Sequence, residues 1–99
     1  MLAQARTAAR EGRHEQAEHG YLAIIQRYPD SYDAFGELGD LYYTQGRRDE
    51  AASSYYQAAL RLLEAGYVRE AEHLQEVIRP LSQTLATSLE TKLTSQKRH

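Results

Sequence analysis

Gly12, Arg13, Ala17 and Tyr21 return as Gly46, Arg47, Ala51 and Tyr55, four identities that share a single offset of 34 residues. An internal repeat of that period is the length of a helical hairpin. Such a hairpin has too little apolar surface to bury its own face and folds only by stacking on its neighbours. The chain is therefore expected to be an array of helices whose outward task is to hold another molecule.

The residues between the repeated positions carry a recognisable pattern. Phe35-x2-Leu38-Gly39-x2-Tyr42 is followed by Ala51-x3-Tyr55, which resembles the tetratricopeptide repeat with Phe as its leading aromatic. The first unit keeps Ala17-x3-Tyr21 and the closing Pro29, but Met1, Gln4, Ala5 and Ala8 stand at its aromatic, Leu, Gly and Tyr positions. A third echo, Gly66-x4-Ala71, follows Gly46 by 20 residues rather than 34, so the array is out of register from there on. The resemblance implies an all-α fold: a short array of tetratricopeptide-type hairpins in a right-handed α–α superhelix, finished by a C-terminal capping helix. It divides a single domain, residues 1–99, into repeat one at about 1–31, repeat two at about 32–65, and a divergent third hairpin and cap at about 66–95.

Punctuation agrees with this division. Only Pro29 and Pro80 occur, and six glycines interrupt a composition rich in helix formers. Helices are expected over about 3–11, 14–28, 32–45, 49–65 and 68–79, with Gly12 supplying the left-handed residue after a helix end and breaks expected also at Gly46 and Gly66. Pro80 is placed as the first residue of a last helix, which carries Leu81, Leu85, Leu89 and Leu93. Those leucines are expected to cap the array, with an intermolecular seam as the competing outcome. Ala17, Gly39, Ala51 and Ala71 are expected where helices cross, because a longer side chain there would push the backbones apart.

Charge and composition exclude several functions. A formal net charge of −2 with mixed signs argues against nonspecific nucleic-acid binding, and only Lys97-Arg98-His99 is locally basic. No apolar run is long enough for membrane insertion, and residues 1–20 do not read as a secretory signal. A complete chain of this kind is assigned by default to the cytoplasm, although the abrupt start inside a degenerate repeat suits an excerpt of a longer protein. Absence of cysteine removes disulfides, thiolate nucleophiles and Cys-based zinc sites. His14-Glu15-Gln16-Ala17-Glu18-His19 has the look of a zinc-peptidase helix, but its histidines are five residues apart. At about 100° per residue their rings are splayed by roughly 140°, so they do not converge on one metal. His73 and His99 lack partners at ligand spacing. No nucleophile elbow and no phosphate-cradling glycine loop is present. The chain is expected to be no enzyme and to need no cofactor or metal.

In proteins resembling this one, the first helix of each hairpin lines a concave groove for a partner peptide or helix. The corresponding residues here are Asp33, Glu37, Asp40 and Tyr43 on the third helix, with Arg6 and Arg10 on the first, and these are the candidate partner-binding residues. Arg6 and Arg10 can equally be spent on internal pairs with Glu37 and Asp40. Relatives that clamp a C-terminal carboxylate carry Lys and Asn at these inner positions, so Glu37 and Asp40 point instead to a basic or neutral peptide. The implied function is a non-catalytic protein–protein interaction module or adaptor, the alternative being a self-association module that forms a homo-oligomer.

Overall fold

The computed structural model describes residues 1–97 and contains, among them, six helices and no strand: α1 (Leu2–Arg10), α2 (His14–Arg27), α3 (Tyr32–Thr44), α4 (Arg48–Glu64), α5 (Val68–Ile78) and α6 (Gln83–Lys97). Arg98 and His99, the end of the basic tail, lie outside the described residues.

Three turns share one geometry. Gly12, Gly46 and Gly66 have φ of 77°, 74° and 89°, a region that a side chain disfavours. Each glycine N–H donates to the carbonyl three residues back, and the next residue's N–H donates to the carbonyl five back: Arg13 to Ala8, Arg47 to Tyr42 and Tyr67 to Leu62, at 2.8–2.9 Å. This is the Schellman closure, which satisfies carbonyls left over at a helix end. Packing repeats with the turns. Five residues after each glycine stand Ala17, Ala51 and Ala71, all fully buried. Seven residues before each stand Ala5, Gly39 and Ala59, also buried.

The same hairpin is thus built three times, as α1–α2, α3–α4 and α4–α5. Helix α4 is the second member of one hairpin and the first member of the next, which is why the last two turn glycines are 20 residues apart, one helix plus one turn, instead of two of each. Pro29-x-Ser31 likewise returns as Pro80-x-Ser82. Ser31 Oγ accepts the Ala34 N–H at 3.3 Å, and Ser82 Oγ accepts the Leu85 N–H at 3.2 Å. Helix α6 therefore stands to α4–α5 as α3 stands to α1–α2, and contacts run α1–α3 and α4–α6 accordingly.

The last helix differs from its sequence reading in two respects. It starts at Gln83, and Pro80 lies in the preceding turn, because Ser82 supplies the side-chain acceptor that a helix start needs and Pro80 has none to offer. The buried seam of α6 is Ala86, Leu89 and Leu93, while Leu81 and Leu85 are only half-buried. Leu89 and Ile78 of α5 are the largest side chains buried completely. The seam is covered by the chain itself, and Glu90, Thr91 and Thr94 form an exposed polar face, so α6 caps α4 and α5.

Candidate partner-binding groove

Helix α3 is the centre of the exposed chemistry because it has a different neighbour on each side. Toward α1 it is tied down. Arg6 grips Glu37 with two nitrogens, Nε to Oε1 at 2.8 Å and Nη2 to Oε2 at 2.6 Å, and the buried Tyr21 donates its hydroxyl to the same carboxylate at 3.0 Å. Burial and that bond push the Tyr21 phenol up to about 12. Arg10 makes no pair with Asp40; it bonds to Thr7 at 3.4 Å, and Asp40 instead accepts the Tyr55 hydroxyl. Of the two internal pairs considered from the sequence, Arg6–Glu37 forms and Arg10–Asp40 does not. A shallow cleft of about 430 Å³ remains between α1 and α3, bordered by Arg6, Arg10, Glu37 and Asp40.

A second charged cluster stitches α2 to the turn that follows α3. Glu18 accepts from Arg47 at 2.9 Å and from the Tyr42 hydroxyl at 3.0 Å. Arg47 also pairs with Glu50 at 2.6 Å and lies 4.4 Å above the Tyr42 ring. Arg47, through that bond, holds the Glu18 carboxyl below its ordinary value, and Tyr42 adds to the effect. These groups are spent on structure and leave little to offer a partner.

Toward α5 the arrangement opens. Among the described residues α3 and α5 have no backbone contact, although both pack on α4. This separation follows from the shared helix: α5 is placed as the hairpin partner of α4 and not as a side-by-side neighbour of α3. The result is a groove of about 540 Å³ with α3 and α5 as walls and α4 as floor. Ala58, Leu62 and Leu74 give it an apolar bottom, and Asp33, Glu37, Asp40 and Glu70 face it with Arg69 and His73. At its mouth the Tyr32 and Tyr67 rings meet edge to face with centroids 5.8 Å apart. Gly36 borders the groove and a Cβ there would meet nothing within 4 Å, so the missing side chain widens the channel. A further pocket of about 410 Å³ continues past the Asp40–Tyr55 hydrogen bond to Tyr43, Val77 and Leu81. Tyr43 is 55% exposed.

The tetratricopeptide repeat family model matches residues 2–75. The chain belongs to the tetratricopeptide repeat family. No curated protein matches it. Tetratricopeptide repeats as a class mediate protein–protein interaction and are typically non-catalytic modules. The match stops inside α5, and the rest of this tetratricopeptide chain is the end of α5 and the cap. No helix among the described residues is long and apolar enough to cross a membrane, and no group of three His, Asp or Glu among them is placed to hold a metal.

Within the repeat frame the six sequence-selected residues fall into two sets. Asp33, Glu37, Asp40 and Tyr43 all border the valley between α3 and α5. Arg6 and Arg10 lie on the far side of α3, in the α1 cleft. The opposite wall of the valley, Arg69, Glu70, His73 and Leu74, is absent from the sequence selection, which expected α1 to be that wall. One signal pointed to it. A 20-residue step to Gly66 leaves room for only one helix, which removes the usual neighbour from the open side of α3.

Proposed function

We propose that this tetratricopeptide chain is a non-catalytic interaction module that docks a partner segment, an extended peptide or a single helix, in the valley between α3 and α5, residues 1–99 acting as one unit. Asp33, Asp40 and Tyr43 are the contacts on the α3 wall. Arg6, Arg10 and Glu37 form the adjoining ledge and act mainly by fixing α1 against α3. The observation that carries this reading is a concave channel with an apolar floor and polar walls between α3 and α5, with a second pocket on the other side of the Asp40–Tyr55 hydrogen bond; concave, apolar channels with a few polar groups are where ligands dock. Self-association draws less support, since of the four leucines that suggested it Leu89 and Leu93 are buried within the chain and Leu81 and Leu85 are half-buried.

Gly36→Trp tests the reading, because the added side chain enters the channel from a position with open space and an ordinary helical backbone. Clones selected from a random-peptide display library on the wild-type domain are expected to lose binding to Gly36→Trp, with no change in its melting temperature beyond a few degrees. A selected pool that binds both proteins equally would remove the valley from consideration.

A further inference from the structure

We propose that the valley selects a partner segment carrying a lysine or arginine beside an aliphatic side chain, the cation lodging between Asp33 and Glu70 at the tyrosine mouth and the aliphatic group resting on Ala58, Leu62 and Leu74. The inference rests on the docking reading above and specifies the chemistry of the occupant.

Charge complementarity carries it. Four carboxylates border the main channel against one arginine and one histidine, and they are not equally available. Glu37 is spent on Arg6 and Tyr21, and Asp40 on Tyr55. Asp33 and Glu70 make no hydrogen bond or ion pair among the described residues, and Arg69 pairs with neither. Each of these carboxylates lies close in the chain to a mouth tyrosine: Asp33 is one residue past Tyr32 in the first turn of α3, and Glu70 is three past Tyr67 in the first turn of α5. The Tyr32 hydroxyl is raised by Tyr67 foremost, by burial, and by Asp33 and Glu70, which places all four groups within one electrostatic neighbourhood. Two aromatic rings and two unspent carboxylates make a receptor for a cation, the rings by their negative faces and the acids by charge-assisted bonds.

The floor supplies the second half of the specificity. Its apolar residues gain nothing from a purely charged ligand, and a lysine or arginine stem lies along apolar surface while its head stays at a polar rim. A neighbouring aliphatic side chain then reaches the bottom of the channel. Acidic segments are rejected by the same residues, because a carboxylate brought beside Asp33 and Glu70 meets like charge.

Three labelled peptides of equal length and leucine content, differing in whether lysine, glutamate or glutamine alternates with leucine, test this by fluorescence anisotropy against the whole chain. The lysine peptide is expected to bind at least roughly tenfold tighter than the glutamate peptide, with an advantage that shrinks as salt rises. The double variant Asp33→Lys, Glu70→Lys should invert the order. Gly36→Trp separates this inference from the reading beneath it. If Gly36→Trp abolishes binding of all three peptides but the peptides bind alike, the valley is the docking site and the charge selection is wrong. If the lysine peptide binds Gly36→Trp as it binds the wild type, the valley itself is wrong. Failure of all three to bind the wild-type chain also overturns the inference. Thermal melts of both variants check that they fold; Asp33 and Glu70 are exposed, and Gly36 is half-buried with open space at its Cβ.

Discussion

Gly39→Ala should destabilise this protein although the same change three residues earlier should stabilise it. Gly39 is buried where α3 crosses α4, and a Cβ built on it would lie 2.7 Å from Cδ1 and Cε1 of Tyr55 and 3.1 Å from Cγ. Those are ring atoms close to the root of a buried side chain whose hydroxyl is anchored to Asp40, so the ring cannot swing clear without giving up that bond. Overpacking of this kind costs about 1–3 kcal/mol, and weakening the Tyr55–Asp40 bond adds about 1 kcal/mol. Alanine returns about 0.5–1 kcal/mol through its helix preference. The net loss is about 1–3 kcal/mol, a fall in melting temperature of roughly 5–15 °C for a domain of this size. At Gly36 the Cβ finds open space, so only the helix term remains and Gly36→Ala should raise the melting temperature by roughly 2–5 °C. The pair is measured by circular-dichroism melts and urea titration. Repeating Gly39→Ala in a Tyr55→Ala background closes the cycle, and there the substitution should become neutral or stabilising. If Gly39→Ala is as stable as Gly36→Ala, the close approach of α3 to α4 is wrong.

The folded-state phenols of Tyr21 and Tyr42 stand at about 12 against 10.0 for an exposed tyrosine, through burial first and the bonds to Glu37 and Glu18 second. A raised folded value means that this stabilisation is complete below pH about 10 and is lost as pH climbs toward about 12, so melting temperature should decline through that window and the decline should flatten in Tyr21→Phe, Tyr42→Phe. Glu18 has the opposite sign: its carboxyl is lowered, so its share is present above about pH 4.5 and fades as pH falls further. At the cap, Leu89→Ala should lose about 2–5 kcal/mol in urea titration, since Leu89 is fully buried, and clearly more than Leu85→Ala; equal losses would mean that the seam of α6 has been assigned to the wrong face.

Residues that act over one helical turn are legible in the sequence. Gly12, Gly46 and Gly66 announce left-handed closures because only a residue without Cβ takes positive φ freely, and Ala17, Ala51 and Ala71 follow them at a constant distance because the same closure aims the next helix at the same crossing. The spacing of Phe35, Leu38 and Tyr42 marks a face for a similar reason: the period of the helix is local geometry. Even the start of α6 was written in Ser82, whose match to Ser31 is plain once Pro80 is read as the echo of Pro29 and not as a helix start.

What the sequence by itself determined, then, is where this chain turns and which small residues let its helices cross, and so its membership of a helical repeat family. Only the tertiary structure decided how its charges are spent. Arg6 and Arg10 are equivalent on a helix wheel, yet Glu37 takes one and Asp40 leaves the other, because Tyr55 from α4 reaches Asp40 first. The far wall of the valley was decided there as well. Arg69 and Glu70 are 36 and 37 residues from Asp33, and they come opposite it only because α4 serves two hairpins at once. Backbone geometry is settled between neighbours in the chain, whereas the partner of a long charged side chain depends on which distant helix the packing brings within reach.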